Sequence, residues 1–215
     1  PLIGFGGAPF TLAAYMVEGR PSRDHMAART LAVSDPGAWD ALMSWCARVS
    51  ADFITSQIEA GASAVQLFDS WVGSLSPRTY RESVAPYSRV VAQRVAGAVS
   101  PVTGERAPLI HFGTGSAPIL ADMAEVGANC VGVDWKTDLS WAIAQVPGKA
   151  VQGNLDPALL QAPWPVIEQA VRDILDAGRS APGHVFNLGH GVPPTTDPDV
   201  LTRIVELVHE LGDAR

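Results

Sequence analysis

The chain has 215 residues, 47% of them hydrophobic and only 17% charged, with a formal net charge of −7. That length carries one sizeable domain with a real core, and the acidic balance without a basic run speaks against a nucleic-acid partner. Neither a long apolar span nor a signal peptide is present, which predicts a soluble cytoplasmic protein with no membrane partner.

Taken in chain order, the first element is the apolar run Pro1–Phe5, a short strand that leads into Gly6-Gly7. The glycines Gly4, Gly6 and Gly7 read as positions where the backbone approaches a ligand or shapes a turn. Asp35-Pro36 then starts a long helix whose apolar positions Trp39, Leu42, Cys46, Val49 and Phe53 share one face. Ala64–Phe68 is the second strand, and Ser76-Pro77 starts a helix carrying Tyr80, Val84, Tyr87, Val91 and Val95 inward. Arg78, Arg81, Arg89 and Arg94 run along that helix and read as a solvated or dimer-facing surface. Leu109–Phe112, Cys130–Val133 and Ala150–Gln152 are the next strands. A helix begins near Pro163 with Ile167, Val171, Ile174 and Leu175 inward. His184–Asn187 is the sixth strand, and a last helix from Asp197-Pro198 carries Leu201, Ile204, Val205, Val208 and Leu211. Runs this short, bounded by turn residues, are the pattern of strands buried on both faces, and strand–helix alternation predicts a parallel α/β sheet. Cys46 and Cys130 lie far apart without metal-ligand spacing and read as reduced, buried thiols.

The polar residues sit where chemistry would need them. Asp69-Ser70, His111, Asp134, Asn154-Leu155-Asp156 and His190 lie within or just past the C-terminal ends of different strands. No Gly-x-Gly-x-x-Gly turn or Walker-type Gly-Lys-Ser/Thr follows any strand, so the nucleotide-binding reasons for an open sheet are missing. In a (β/α)8 barrel, by contrast, the C-terminal strand ends converge on one mouth. His190, flanked by Gly189 and Gly191, is the side-chain type that titrates near neutrality. His111, inside its strand, reads as a satisfied core histidine. Asp69 and Asp134 read as loop-holding carboxylates, Asp69 orienting Ser70, and Asp156-Pro157 as a helix start with Asp156 as its cap.

Five motifs occur in an order that resembles the uroporphyrinogen decarboxylase family: Pro1–Gly19 (PLIGFGGAPFTLAAYMVEG), Gln66–Trp71 (QLFDSW), Gly132–Trp135 (GVDW), Gln152–Pro157 (QGNLDP) and Asn187–Gly191 (NLGHG). The resemblance spans the whole chain. It implies a (β/α)8 TIM barrel, usually a homodimer, that removes carbon dioxide from the four acetate side chains of a tetrapyrrole without a cofactor. It also implies that Tyr15, Ser70 and His190 contact the substrate. The match begins at the family's third strand, so the resemblance predicts a single barrel domain over 1–215, N-terminally truncated and lacking the first two βα units. The family's arginine-containing segment and the aspartate beneath the pyrrole N–H groups belong to that missing part, which leaves the catalytic carboxylate unknown here. An octa-anionic substrate calls for arginine forks, and no strand tip carries one, so the chain alone is expected to bind weakly or not at all. Two alternatives stand beside this reading. One is a truncated, non-catalytic relative. The other is a zinc-dependent methyltransferase of the same superfamily, which needs a His-x-Cys pair and a distant cysteine. The corresponding strand here reads His111-Phe112-Gly113.

Overall fold

A computed structural model describes residues 1–20 and 22–212. In chain order the elements are β1 (Ile3–Gly7), α1 (Pro9–Glu18), α2 (Met26–Ser34), α3 (Pro36–Glu59), β2 (Ala64–Phe68), α4 (Pro77–Ser83), α5 (Ala85–Val95), β3 (Leu109–Phe112), α6 (Leu120–Glu125), β4 (Cys130–Gly132), α7 (Leu139–Gln145), β5 (Ala150–Gln152), α8 (Trp164–Gly178), β6 (His184–Val185) and α9 (Pro198–Gly212). Short 3-10 turns lie at Val72–Ser74, Ala117–Ile119 and Pro157–Gln161. Consecutive strands are neighbours in the order β1-β2-β3-β4-β5-β6, and β1–β2, β2–β3 and β5–β6 pair in parallel. The chain never doubles back to place a later strand outside an earlier one. That sequential order is the winding of a (β/α) barrel rather than of a doubly wound sheet. No helix among the described residues is long and apolar enough to cross a membrane.

The residues form two compact units, Pro1–Val131 and Gly132–Arg215. In the first, α3 starts where expected: the Asp35 carboxylate accepts the Ala38 N–H at 3.0 Å, with Pro36 in the first turn. Its buried face differs from the expected one. Val49 and Phe53 are 41% and 56% exposed, and the inward residues are Trp39, Met43, Cys46, Ala47, Ser50, Ala51, Ile54 and Ile58. Size explains the rotation. The small Ala47, Ser50 and Ala51 let the helix settle onto β1, where the Ser50 hydroxyl donates to the Gly7 carbonyl at 2.7 Å. A side-chain carbon at Gly6 would lie 2.8 Å from Ile54, and one at Gly4 3.0 Å from Gln57. Gly4 and Gly6 therefore make room for α3, whereas a side-chain carbon at Gly7 would lie 2.8 Å from Leu12 of α1.

β1 also departs from the expectation of burial on both faces. It alternates, with Ile3 and Phe5 exposed and Gly4 and Gly6 buried. It is the first strand of the order, and the Gln57 side chain bonds the Phe5 N–H and C=O at 2.9 and 2.8 Å. β3 and β4, interior in the order, are buried throughout. The helix expected from Ser76 is two. It breaks at Val84 (φ −132°) because Pro86 has no N–H to donate and its ring crowds the preceding turn. Tyr80, Val84, Val91 and Val95 are nonetheless buried as expected, and Tyr87 packs against them half-buried.

In the second unit, Leu155, Leu160, Ile167, Val171, Ile204 and Leu207 form the core. Ile174, Leu175, Leu201, Val208 and Leu211 pack at its margin, whereas Val205, expected inward on α9, is 52% exposed and Leu207 takes the buried place. β6 is shorter than expected. Pairing resumes beyond it only as a single parallel bridge, Leu155 to Leu188. Asp156 caps the 3-10 turn at Pro157–Gln161, accepting the Ala158 N–H at 2.9 Å.

Candidate functional site

The first unit presents two of the three expected ligand contacts. Pro9 opens α1, and Gly19 ends it in a left-handed cap (φ 63°). Tyr15 lies in its last turns, 52% exposed, with its ring centroid 3.8 Å from that of Trp71. Ser70 stands two residues past the end of β2, half-buried, and its carbonyl accepts the Thr114 hydroxyl. Tyr15 and the segment bearing Ser70 are thus in contact through Trp71.

Beneath them lies a buried polar layer. Asp69 is fully buried; its N–H donates to the Phe112 carbonyl at 2.7 Å and its Oδ1 accepts the Thr11 hydroxyl at 3.1 Å. His111 is fully buried as expected, with Nε2 3.6 Å from Asp69 Oδ2. It is not a hydrogen-bonded core histidine, however, because neither ring nitrogen has a hydrogen-bond partner among the described residues. Its strand register places it opposite Leu67 of β2. Burial pushes the nearby Tyr80 phenol well above its usual 10, and the Asp69 and Asp122 carboxylates push it further.

His25 belongs to this region and no sequence signal singled it out. It is 3% exposed, adopts a left-handed backbone (φ 48°), and stacks on Trp71 with centroids 4.4 Å apart. Its Nδ1 lies 3.2 Å from Ser74 Oγ, whose own proton goes to the Trp71 carbonyl at 2.9 Å. With that proton committed, Nδ1 is the donor to Ser74. Burial lowers its pKa below 6.5, Glu18 and Asp24 pulling it up and Arg29 down.

The second unit holds His190. It is exposed, and its ring meets Trp135 edge-on at 5.3 Å between centroids. Lys136 Nζ lies 4.9 Å from the centre of the same indole. Asp134 holds its loop as expected, accepting the Thr137 hydroxyl at 2.9 Å and the Lys136 N–H at 3.2 Å. The Asn154 amide donates to the Asp134 and Thr137 carbonyls at 2.9 and 2.6 Å. Trp135, the platform for His190, was visible only as the end of a motif.

The remaining candidates are structural. Cys46 and Cys130 are free and buried, with burial pushing their thiols up to about 11 and about 12. Arg78, Arg81 and Arg94 pair with Glu82, Asp122 and Asp52 on the surface. No group of three or more His, Cys, Asp or Glu side chains that could hold a metal lies among the described residues.

Comparison with known proteins adds to this geometry. The uroporphyrinogen decarboxylase (URO-D) family model matches residues 1–211. A uroporphyrinogen decarboxylase of Arthrobacter sp. (strain FB24) is 57% identical over 213 residues, which cover 99% of this chain and 60% of that protein. Another, of Salinispora tropica, is 57% identical over 212 residues, covering 98% of this chain and 55% of its own. The chain thus spans a little over half the length of these relatives. A solved methyltransferase from Methanosarcina mazei aligns over 98% of this chain and 59% of its own, with a TM-score of 0.80 at 19% identity, a likeness of fold alone.

Proposed function

Because the chain belongs to the uroporphyrinogen decarboxylase family, we propose that it acts in the cofactor-free conversion of uroporphyrinogen III to coproporphyrinogen III in haem and tetrapyrrole biosynthesis. The observation that carries this reading is the 57% identity to a protein of that name over 99% of this chain. On this reading the chain forms part of a single barrel domain completed by two further βα units, working in the cytoplasm as a homodimer. The uncovered side chains of Ile3 and Phe5, on the face of β1 away from α3, support further βα units that would bury them.

In the proposed chemistry, the ring carbon next to the one bearing an acetate is protonated and the pyrrole becomes cationic. The C–C bond to the carboxylate then breaks, CO2 leaves, and its electron pair flows into the ring to give an exocyclic methylene. A proton added to that methylene and one lost from the ring complete a methyl group, with one proton taken up per CO2 released. Tyr15 and Ser70 donate hydroxyl hydrogen bonds to substrate carboxylates, and His190 donates from its ring. The Tyr15–Trp71 and His190–Trp135 contacts support these roles by holding two exposed polar tips against aromatic platforms. Asp69 and Asp134 are fully buried and engaged by protein groups, so neither is proposed as the carboxylate that stabilises the ring cation. That group belongs to the part of the family pattern that precedes the match.

The test is turnover of uroporphyrinogen III, followed by chromatography of the oxidised products, with the complete reading frame and with this chain. Coproporphyrin from the complete protein, lost or slowed in Tyr15→Phe, Ser70→Ala and His190→Asn, supports the reading. No turnover by the complete protein supports instead the non-catalytic relative.

A further inference from the structure

α1 and the tip of β2 are joined by a contact that neither of their sequence motifs reveals alone. Thr11 stands one helical turn before Tyr15, so the two side chains share a face of α1. Thr11 is 5% exposed, and its hydroxyl reaches the fully buried Asp69, the residue immediately before Ser70, at 3.1 Å. One turn further along, the Tyr15 ring meets Trp71, the residue immediately after Ser70. Residues 69–71 therefore grip α1 at two points, a buried polar one and an exposed aromatic one, with Ser70 between them. Two anchors one turn apart fix both the position of a helix along its axis and its rotation about it. The tip itself is held: the Asp69 N–H is bonded to the Phe112 carbonyl, the Asp69 carbonyl accepts the Val72 N–H at 3.1 Å, and His111 faces the other carboxylate oxygen at 3.6 Å.

We infer that Thr11 and Asp69 are positioning residues that couple Tyr15 to Ser70, so that the two hydroxyls are presented as one unit to a carboxylate-bearing ligand. What Tyr15 and Ser70 bind rests on the proposed function; the coupling between them does not. Threonine suits the buried end because its methyl group fills apolar space while its hydroxyl meets the carboxylate. Valine has the same shape and leaves Asp69 Oδ1 without its partner, and serine keeps the hydroxyl.

The experiment is nuclear magnetic resonance on the isotopically labelled chain, comparing the wild type with Thr11→Val and Thr11→Ser, and with a thermal melt to establish that each is folded. In the wild type the Tyr15 ring signals should be displaced upfield by the Trp71 indole. Thr11→Val should shift the Tyr15 ring and the Ser70 amide together, and Thr11→Ser should return both. A Thr11→Val chain in which either signal stays in place overturns the inference, because a merely structural threonine lowers stability without moving both. If Thr11→Val does not fold, the wild type decides: a slowly exchanging Thr11 hydroxyl proton supports the coupling, and rapid exchange with water overturns it. A parallel titration with uroporphyrin III separates the two levels. In the complete protein, Thr11→Val should weaken binding about tenfold, and should add little once Tyr15→Phe is present. Loss of all porphyrin binding with the spectral coupling intact sinks the functional reading alone. Intact binding without the coupling sinks this inference alone.

Discussion

Gly189 lies directly against the backbone of Trp135. A side-chain carbon at 189 would stand 2.7 Å from the Trp135 Cα, and the Gly189 N–H donates to the Leu155 carbonyl at 2.8 Å. The glycine before His190 is therefore required by a backbone-to-backbone approach, and the ring that follows is delivered edge-on to the same tryptophan. Gly191, on the other side, has nothing within 4 Å of such a carbon.

This asymmetry gives a paired prediction. Gly189→Ala must force two backbones apart, and cores that are overfilled in this way lose about 2 kcal/mol or more. Gly191→Ala meets no neighbour and should change stability by less than about 0.5 kcal/mol. Thermal or urea melts of the two variants check this, and equal losses would show that the Trp135 contact yields freely.

His25 sets a pH dependence whose sign follows from its burial. Its folded pKa lies below 6.5, so the unfolded chain takes up the proton first as pH falls. The contribution is present in full above about pH 6.5 and is lost as pH falls through the lower, folded value. Glu18 and Asp24 temper the shift and Arg29 reinforces it. His25→Asn keeps a residue tolerant of the left-handed backbone but removes the titrating ring. The wild type should lose stability relative to this variant between pH 6.5 and the folded pKa, as measured by urea melts at stepped pH. Parallel curves for the two proteins would exclude the effect.

The thiols offer a kinetic check. Cys46 is fully buried and Cys130 is 5% exposed, with their pKa values raised to about 11 and about 12, so at pH 8 the reactive thiolate is scarce and shielded. Native protein should react with a thiol-specific disulfide reagent far more slowly than urea-denatured protein, in which both groups should titrate. A fast native phase would place one of them at the surface.

Much of this was legible in the chain. Ala64–Phe68, Leu109–Phe112 and Ala150–Gln152 match their strands to the residue because turn residues bound each apolar run. Asp35-Pro36, Ser76-Pro77 and Asp156-Pro157 mark true helix starts because cap and proline chemistry is local. The face of α3 was not legible, since hydrophobicity favoured Val49 and Phe53 while close packing on glycine-rich β1 selected Ala47, Ser50 and Ala51. At the site, Tyr15, Ser70 and His190 came from motifs. His25 and the Thr11–Asp69 bond join residues separated by 46 to 58 positions, through Trp71 and directly. Such pairings depend on the tertiary fold and leave no periodicity to read.

The edge of β1 carries the last prediction. Gln57 on α3 gives its amide N–H to the Phe5 carbonyl and takes the Phe5 N–H on its amide oxygen, at 2.8 and 2.9 Å. Those are the two groups that a neighbouring strand would pair, and Leu2, Ile3 and Phe5 beside them are all substantially exposed. An amide matches both because it donates and accepts, so the side chain blunts an edge that would otherwise recruit another chain. Gln57→Leu removes both bonds and should raise concentration-dependent self-association, measured by light scattering behind size exclusion. Gln57→Glu accepts the Phe5 N–H but cannot donate while ionised, and should fall between the two, with its added charge opposing association. Equal behaviour of Gln57→Leu and the wild type across concentration would mean that the edge is protected by something other than this amide.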